Sequence, residues 1–176
     1  MTALKKILIL SDSHGLVEPL ETIKYRHACD HYIHCGDSEL ETDHQVLNGY
    51  EIVRGNCDWN SSFPNELILN INDLRLYVTH GHLYDVKNSL MRLQYRAAEV
   101  EANIVCFGHS HIAYAEKIGQ TLFLNPGSIR LPKYFSETSY IVLSLLDDME
   151  VTIQFFNAEG MEITIFPYNE TFRLEK

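Results

Sequence analysis

Histidine and carboxylate side chains follow short apolar runs at several points in the chain, where a strand would end. His109 and His111 lie two positions apart after "IVCF", and Asp12 and His14 have the same spacing after "ILIL". Because side chains alternate along an extended strand, each pair is predicted to point one way, with backbones about 7 Å apart. The residues of metal-ligand type at such positions are Asp12, His14, Asp37, Asn56, His80, His109 and His111.

This set contains four imidazoles, two carboxylates and one amide, and no thiolate. Such a set suits manganese, iron, zinc, nickel or cobalt. Seven ligands are too many for one tetrahedral ion, whereas one bridging carboxylate would divide them into two sites of four ligands each. Each residue alone is better explained as a turn former, a helix cap or a hydrogen-bonded surface group. Taken together, the seven predict a dinuclear metal centre.

Strands and helices are predicted to alternate through the first two thirds of the chain and to position these residues. Continuous apolar runs flanked by helices indicate a parallel-rich α/β sheet, whose sites lie just beyond the strand ends. The helical spacing is clearest at Val86, Leu90, Leu93, Ala97 and Val100, and weaker at Leu16, Leu20 and Ile23.

The end of the chain has a different pattern. From Ser139 onward, two strands are predicted around a turn at Asp147 and Asp148, and the segment 161–166 alternates like a further strand through Met161, Ile163 and Ile165. This pattern indicates antiparallel strands and leaves room for a second sheet.

Composition limits the class of protein. The 176 residues are 45% hydrophobic and contain no linker-like segment, which favours a single domain over residues 1–176. No apolar stretch approaches the ~20 residues of a membrane span, and four cysteines without a CxxC pair suit the reducing cytoplasm. A net charge of −10 disfavours nucleic acid and anionic membranes as partners, so an anionic substrate must be held locally.

The order of the motifs D-x-H, G-D, G-N-x-D, H-G-H and G-H-x-H resembles the calcineurin-like metallophosphoesterase superfamily, particularly its small bacterial and archaeal phosphodiesterase branch. The resemblance spans residue 7 to about residue 132, where "NPGS" ends it. It implies an α/β four-layer sandwich, in which two packed mixed β-sheets are flanked by helices. It further implies a first metal held by Asp12, His14 and His111, a second held by Asn56, His80 and His109, and Asp37 bridging the two.

The activity that this resemblance implies is hydrolysis of a small phosphoester, most directly a phosphodiester, by a hydroxide that bridges the metals. Asp37 and Asn56 are then the catalytic residues among the ligands. Two divalent ions outweigh the two aspartates and leave a positive centre for phosphate in an acidic protein. Manganese is the expected ion, with nickel, zinc, iron and cobalt as alternatives. Proteins generally bind zinc more tightly than manganese, but the supply of each metal in the cell decides which one occupies the site.

Two other functions fit the same residues. One is a protein-binding scaffold with this fold and little activity, against which the complete ligand set argues. The other is a phosphomonoesterase or nucleotidase, which differs only in substrate. The sequence leaves open the physiological substrate, the native metal and association into homo-oligomers.

The source of a catalytic proton is also open. Many superfamily members carry a histidine after the metal-binding asparagine, and this histidine helps to protonate the leaving group. Here Cys57 occupies that position in "GNCD". The roles of His82, Arg54 and Arg130 stay open, and "NPGS" either closes the site through Asn125, Gly127 and Ser128 or is an ordinary turn.

Overall fold

The computed structural model describes residues 4–146 and 149–175, which form two mixed sheets and two α-helices. The helices are α1 (Glu18–Arg26) and α2 (Met91–Glu99). The strands are β1 (Lys5–Leu10), β2 (His31–His34), β3 (Glu51–Ile52), β4 (Glu66–Ile71), β5 (Leu74–Thr79), β6 (Ile104–Cys106), β7 (Ala113–Ile118), β8 (Thr121–Pro126), β9 (Tyr140–Leu145), β10 (Glu150–Phe156) and β11 (Thr171–Arg173).

The first sheet has the strand order β11-β10-β9-β1-β2-β3, and the second has the order β4-β5-β6-β8-β7. Strands β1, β2 and β3 are parallel, whereas β9 and β10 run antiparallel. In the second sheet β5, β6 and β8 are parallel, with antiparallel β4 and β7 at the edges. The loops that contain the predicted ligands follow the carboxyl ends of these parallel strands.

Burial on both faces of each sheet produces the four layers. In β1, Ile7 and Ile9 pack between the sheets, and Leu8 and Leu10 pack on the opposite face in the cluster that includes Leu20 of α1. The outer face of the second sheet is covered in the same way by α2. Each fully buried aliphatic side chain contributes about 1.5–3 kcal/mol, which explains the continuous apolar runs. The predicted four-layer α/β sandwich is confirmed.

The helices are shorter than their apolar spacing predicts. α2 begins only at Met91, so Val86 and Leu90 precede it, although Val86 packs in one buried cluster with Leu93 and Ala97. A 3-10 turn at His82–Tyr84 and the left-handed backbone of Asp85 interrupt the chain before it. None of the helices in the described ranges is both long and apolar enough to span a membrane.

The carboxyl-terminal strands are antiparallel as predicted, but they extend the first sheet through the pairing of β9 with β1. The turn predicted at residues 147–148 lies outside the described residues. The strand predicted at 161–166 is wrong: Met161 and Ile165 are exposed, and the buried residues Ile163 and Phe166 are three apart, which is not a strand repeat. In this segment Glu162 forms an isolated bridge to Phe156.

Candidate metal centre

Each predicted ligand lies in a loop after a strand, but not in the extended conformation that the two-residue spacing suggested. Asp12, His14, Asp37, His109 and His111 all have φ between 44° and 66°. This left-handed region is uncommon for residues other than glycine, and such conformations are concentrated at functional sites. The extended backbone expected for each pair is therefore wrong, although the ligand atoms of Asp12 and His14 do converge.

The loops of the first sheet are joined by backbone hydrogen bonds that continue the β1–β2 pairing. Asp12 N–H donates to Gly36 O at 3.0 Å, and His14 N–H donates to Asp37 O at 3.0 Å. Gly55 lies against this pair of loops so closely that a Cβ there would collide with the Asp37 carboxylate and backbone. The glycine is therefore required for the close approach of the Asn56 loop.

Asp12 lies at the middle of the cluster with one carboxylate oxygen unpaired. Its buried Oδ1 has no hydrogen-bond partner among the described residues. The Nε2 atom of His111 is 3.1 Å away, without hydrogen-bond geometry, and those of His14 and His80 are 3.8 and 3.9 Å away. A buried oxygen without a partner is destabilising by about 1–3 kcal/mol, so this arrangement suits a cation among these atoms.

The two histidines nearest Asp12 turn the same ring nitrogen towards each other, with 3.3 Å between the Nε2 atoms of His14 and His111. On the outer side, His111 Nδ1 is 2.7 Å from Leu131 O, and His14 Nδ1 is 3.3 Å from Glu39 Oε2. We infer the protonated nitrogen from these outer acceptors. Both Nε2 lone pairs then face inward, as in metal-bound histidines whose other nitrogen donates to an oxygen.

A second group forms around His80, whose Nδ1 donates to Cys35 O at 2.7 Å. Its Nε2 is 3.1 Å from Asn56 Oδ1 and 3.2 Å from Asp37 Oδ2. The ring of His109 packs edge-on against His80, with 5.1 Å between centroids. The cluster thus contains two groups. The first consists of His14 and His111, the second of His80, Asn56, Asp37 and His109, and Asp12 lies close to both.

The structure therefore brings together all seven residues predicted from the sequence. Ligand atoms of Asp12, His14 and His111 lie within 4.8 Å of one another, as do those of Asp12, Asp37 and His80. The assignment of individual residues to a first and a second metal stays a prediction. The donor set and the unpaired Asp12 oxygen fit divalent cations.

The surroundings of the cluster keep its two aspartates charged and shift the pKa values of its histidines in opposite directions. Burial raises the pKa of Asp12, but its contacts with His111 and His80 outweigh burial and lower the pKa below its usual value. For Asp37 burial is likewise outweighed by His80 and the Cys57 N–H, so its pKa lies far below the ordinary range. Burial and the nearby His80 lower the pKa of His109 to about 4, which keeps that imidazole neutral near pH 7.

His80 and His111 show the opposite shift. Burial lowers the pKa of each ring, but Asp37 and Asp12 outweigh burial at His80, and Asp12 outweighs it at His111. The pKa of both rings is therefore raised. Protons and metal ions accordingly compete for these two nitrogens.

Asp58, the last residue of the G-N-x-D motif, was not among the predicted ligands, and the structure shows that it supports the site loops. Its buried carboxylate accepts hydrogen bonds from the backbone N–H groups of Asp37, Glu39 and Gly55, each at 2.8 Å, and from Ser38 Oγ at 3.2 Å. It thereby ties the Asp37 loop to the Asn56 loop. The available signal was its place in "GNCD", since aspartate commonly accepts backbone N–H bonds in turns. Glu39, beside His14, had no such signal.

The "NPGS" segment fastens the site loops. Asn125 Nδ2 donates to Gly108 O at 3.0 Å, and Ser128 Oγ donates to Asp12 O at 2.8 Å. Gly127 N–H donates to Asn125 Oδ1 at 2.9 Å within the segment itself.

The two arginines bind backbone carbonyls near the centre. Arg130 donates to His14 O, and Arg54 Nη2 donates to Trp59 O at 3.3 Å. Both guanidinium groups thus flank the cluster.

Two further residues border the second group. The ring centroid of His82 is 5.4 Å from that of His80, and its Nδ1 is buried without a partner among the residues described. Cys57 Sγ accepts a hydrogen bond from Asn56 Nδ2 at 3.3 Å, and its backbone N–H donates to Asp37 Oδ1 at 2.7 Å. The four cysteines of the chain are free thiols.

A two-sheet sandwich with histidine, aspartate and asparagine side chains converging beyond its parallel strands is the architecture of a metallophosphoesterase. Residues 6–148 match the family model of the calcineurin-like phosphoesterase superfamily domain. The chain belongs to this superfamily.

Two curated relatives carry phosphoesterase names. "Probable metallophosphoesterase YsnB" of Bacillus subtilis is 49% identical over 159 residues, which cover 89% of this chain and 94% of YsnB. "Phosphodiesterase YfcE" of Escherichia coli K12 is 31% identical over 114 residues, 58% of this chain and 54% of YfcE.

Two solved structures share the fold. A predicted phosphoesterase from Streptococcus pneumoniae TIGR4 superposes with a TM-score of 0.91 at 32% identity and covers 98% of this chain and 99% of that one. Vps29 of Entamoeba histolytica, complexed with Zn²⁺, has a TM-score of 0.67 at 16% identity, with 96% and 98% coverage, and shows the fold alone.

Proposed function

We propose that this protein is a phosphodiesterase that requires two divalent metal ions, with manganese as the preferred ion. The observation that carries the proposal is the buried, unpaired Oδ1 of Asp12, on which three imidazole nitrogens converge. An arrangement of this kind is electrostatically satisfied when metal ions or protons lie between the acceptors, and the two compete for the nitrogens of His80 and His111. The name of YfcE supports the choice of phosphodiesters.

The ligand groups would hold the ions next to each other. Asp12, His14 and His111 would hold the first, Asn56, His80 and His109 would hold the second, and Asp37 would be shared by both. When bound, two such ions lower the pKa of a coordinated water and neutralise negative charge that develops on phosphorus.

The protein's own residues orient the ligands and attract the substrate. Leu131 O and Cys35 O hold the rings of His111 and His80 through their Nδ1 protons, so neither ring turns away. Arg130 and Arg54 flank the cluster and add positive charge near a phosphate in a protein whose net charge is −10. The four free thiols suit the reducing cytoplasm, where we propose that the protein acts.

Hydrolysis assays with defined metals test this proposal. We expect metal-stripped protein supplied with Mn²⁺ to hydrolyse bis(p-nitrophenyl) phosphate faster than p-nitrophenyl phosphate, and Asp12→Asn to abolish most of this activity. Asp43→Asn, an exposed aspartate, is the matched control. Faster monoester hydrolysis would identify a phosphomonoesterase. Absence of hydrolysis with manganese, nickel, zinc, iron and cobalt would indicate a binding scaffold.

A further inference from the structure

A cavity of about 190 Å³ opens beside the metal-ligand cluster, and its lining is acidic and aromatic. Cys57 and Glu39 join its wall to the cluster: Cys57 contacts Asp37 and Asn56 through its N–H and Sγ, and Glu39 Oε2 lies 3.3 Å from His14 Nδ1. Trp59 and Asn60 continue that wall, and Glu39 and Glu41 line the cavity as well. We call this space the Trp59 cavity.

Trp59 is the single tryptophan of the chain, and 79% of it is exposed. No lysine or arginine appears among the described residues that line the cavity. Arg54 binds the Trp59 backbone carbonyl. The carboxylate of Asp58 is occupied by its four hydrogen bonds, and one oxygen of Glu39 lies 3.3 Å from His14 Nδ1. Glu41 and the exposed part of Glu39 therefore supply the accessible negative charge.

We propose that the Trp59 cavity binds an ammonium group on one alcohol of the phosphodiester. This inference rests on the proposed function and names its substrate class. An indole face attracts cations, quaternary ammonium groups in particular. Two exposed carboxylates add to that attraction and repel anionic substituents. The phosphate at the metal cluster and the cation over Trp59 are then neighbouring parts of one zwitterionic substrate.

A matched pair of ligands separates charge from shape. Phosphocholine and 3,3-dimethylbutyl phosphate have the same outline, but the second has a neutral carbon in place of the nitrogen. We expect both ligands to inhibit hydrolysis of bis(p-nitrophenyl) phosphate by manganese-loaded protein. The inhibition constant of phosphocholine should be about tenfold lower than that of 3,3-dimethylbutyl phosphate, a difference in the range of cation–π energies. Because Trp59 is the single tryptophan, its fluorescence should change over the same concentration range.

Variants of the lining test the assignment to individual residues. Trp59→Leu keeps apolar contact but removes the π face, and should reduce the tenfold preference to within about twofold. Trp59→Phe should retain most of it. Glu41→Gln should weaken phosphocholine binding in the fluorescence titration and leave that of the neutral analogue unchanged. The controls are Tyr25→Leu and Glu159→Gln, which change exposed residues outside the cavity lining.

Equal inhibition by the charged and neutral ligands would overturn the inference, as would an unchanged preference in Trp59→Leu. Stronger binding of the neutral analogue would show that the cavity is an apolar subsite. The fluorescence titration does not depend on turnover. Protein that binds phosphocholine over Trp59 but hydrolyses no phosphodiester therefore contradicts the proposed function and leaves the cavity assignment standing.

Discussion

The Nε2 atoms of His14 and His111 lie 3.3 Å apart, although 97 residues separate them in the chain. Each ring has an oxygen acceptor near its Nδ1, and only 11% of either side chain is exposed. Two nitrogen lone pairs that face each other repel unless a cation or a proton lies between them. This relationship supports the prediction on metal removal that follows.

Removal of metal should abolish hydrolysis and lower the thermal stability of the fold. Metal bound to the native state alone stabilises that state, and its loss leaves the buried oxygen of Asp12 unpaired. We expect metal analysis to find two ions per chain, and chelation to reduce both the rate and the melting temperature. Full activity in thoroughly stripped protein would contradict the metal-dependent mechanism.

Asp37→Asn should reduce activity far more than His82→Ala. Asp37 contacts His80 in the second group, and under the proposed function it is shared by both ions, so its loss should disturb the whole centre and remove a compensating negative charge. His82 borders the cluster through its ring contacts with His80 and His109. Loss of a residue that supports metal ligands in this way typically lowers metal affinity or activity by about 10- to 100-fold. Steady-state rates at saturating Mn²⁺ provide the comparison, and equal, mild effects would indicate that Asp37 is only a turn residue.

Hydrolysis should slow steeply as the pKa of the leaving alcohol rises, because Cys57, a weak hydrogen-bond donor, stands where many superfamily members carry a histidine. Burial and the nearby Asp37 raise the pKa of the Cys57 thiol to about 12, so the thiol is neutral but a poor acid. A positioned acid typically contributes about 10²- to 10⁴-fold. A series of aryl and alkyl phosphodiesters measures this dependence.

Substitutions at Cys57 complete that experiment. Cys57→Ala should change the rates little, whereas Cys57→His should flatten the dependence on the leaving group if the ring reaches the substrate. If wild-type rates are insensitive to the leaving group while chemistry limits the rate, another residue already supplies the proton.

Asp58→Asn should destabilise the protein by about 1–3 kcal/mol and weaken metal binding. Each carboxylate oxygen accepts two hydrogen bonds: Oδ2 from Asp37 and Gly55, and Oδ1 from Glu39 and Ser38. If Oδ2 becomes the amide nitrogen, two backbone N–H groups face another donor; if Oδ1 does, Glu39 N–H faces a donor, whereas the Ser38 hydroxyl can rotate to accept. Urea unfolding of the metal-free protein measures the loss, with Asp43→Asn expected within about 0.5 kcal/mol of wild type. A wild-type value for Asp58→Asn would show that these bonds contribute little.

Stability should fall as the pH is lowered from about 6.5 to about 4, in part because of His34. Burial lowers the pKa of this histidine from 6.5 to about 4. The unfolded chain therefore binds a proton in this window that the folded protein does not bind. The free energy of unfolding should decrease by about 3 kcal/mol across it from this group.

His34→Gln should reduce that dependence on pH. The ring accepts a hydrogen bond from Gly36 N–H at Nδ1, and its Nε2 lies 2.8 Å from Ser13 Oγ, so the neutral form is the one that fits. Urea unfolding at several pH values gives the slope, and His31→Gln, on the same strand, should retain the wild-type slope. Identical slopes for all three proteins would exclude His34 as the cause.

The local order of residues was sufficient to predict that these seven side chains lie just beyond strands. Apolar runs identify buried strands, and residues just after parallel strands collect at one edge of their sheet. The contact between Asp12, after β1, and His111, after β6, additionally depends on how the two sheets pack against each other. The superfamily resemblance then implied the two sheets. These inferences depend on patterns within a few residues of each other, which a sequence displays directly.

Other features depend on contacts between distant segments, and only the tertiary structure decided them. Asp58 holds the Asp37 loop across 21 residues, and Glu39 lies beside His14 because two loops meet there. The left-handed turns replace the extended pairs expected after β1 and β6, and the segment 161–166 alternates without becoming a strand. An alternating pattern shows only which side chains are apolar, and in this segment Met161 and Ile165 are exposed. Which backbone partner is available, and how closely loops approach, follows from packing of the whole chain.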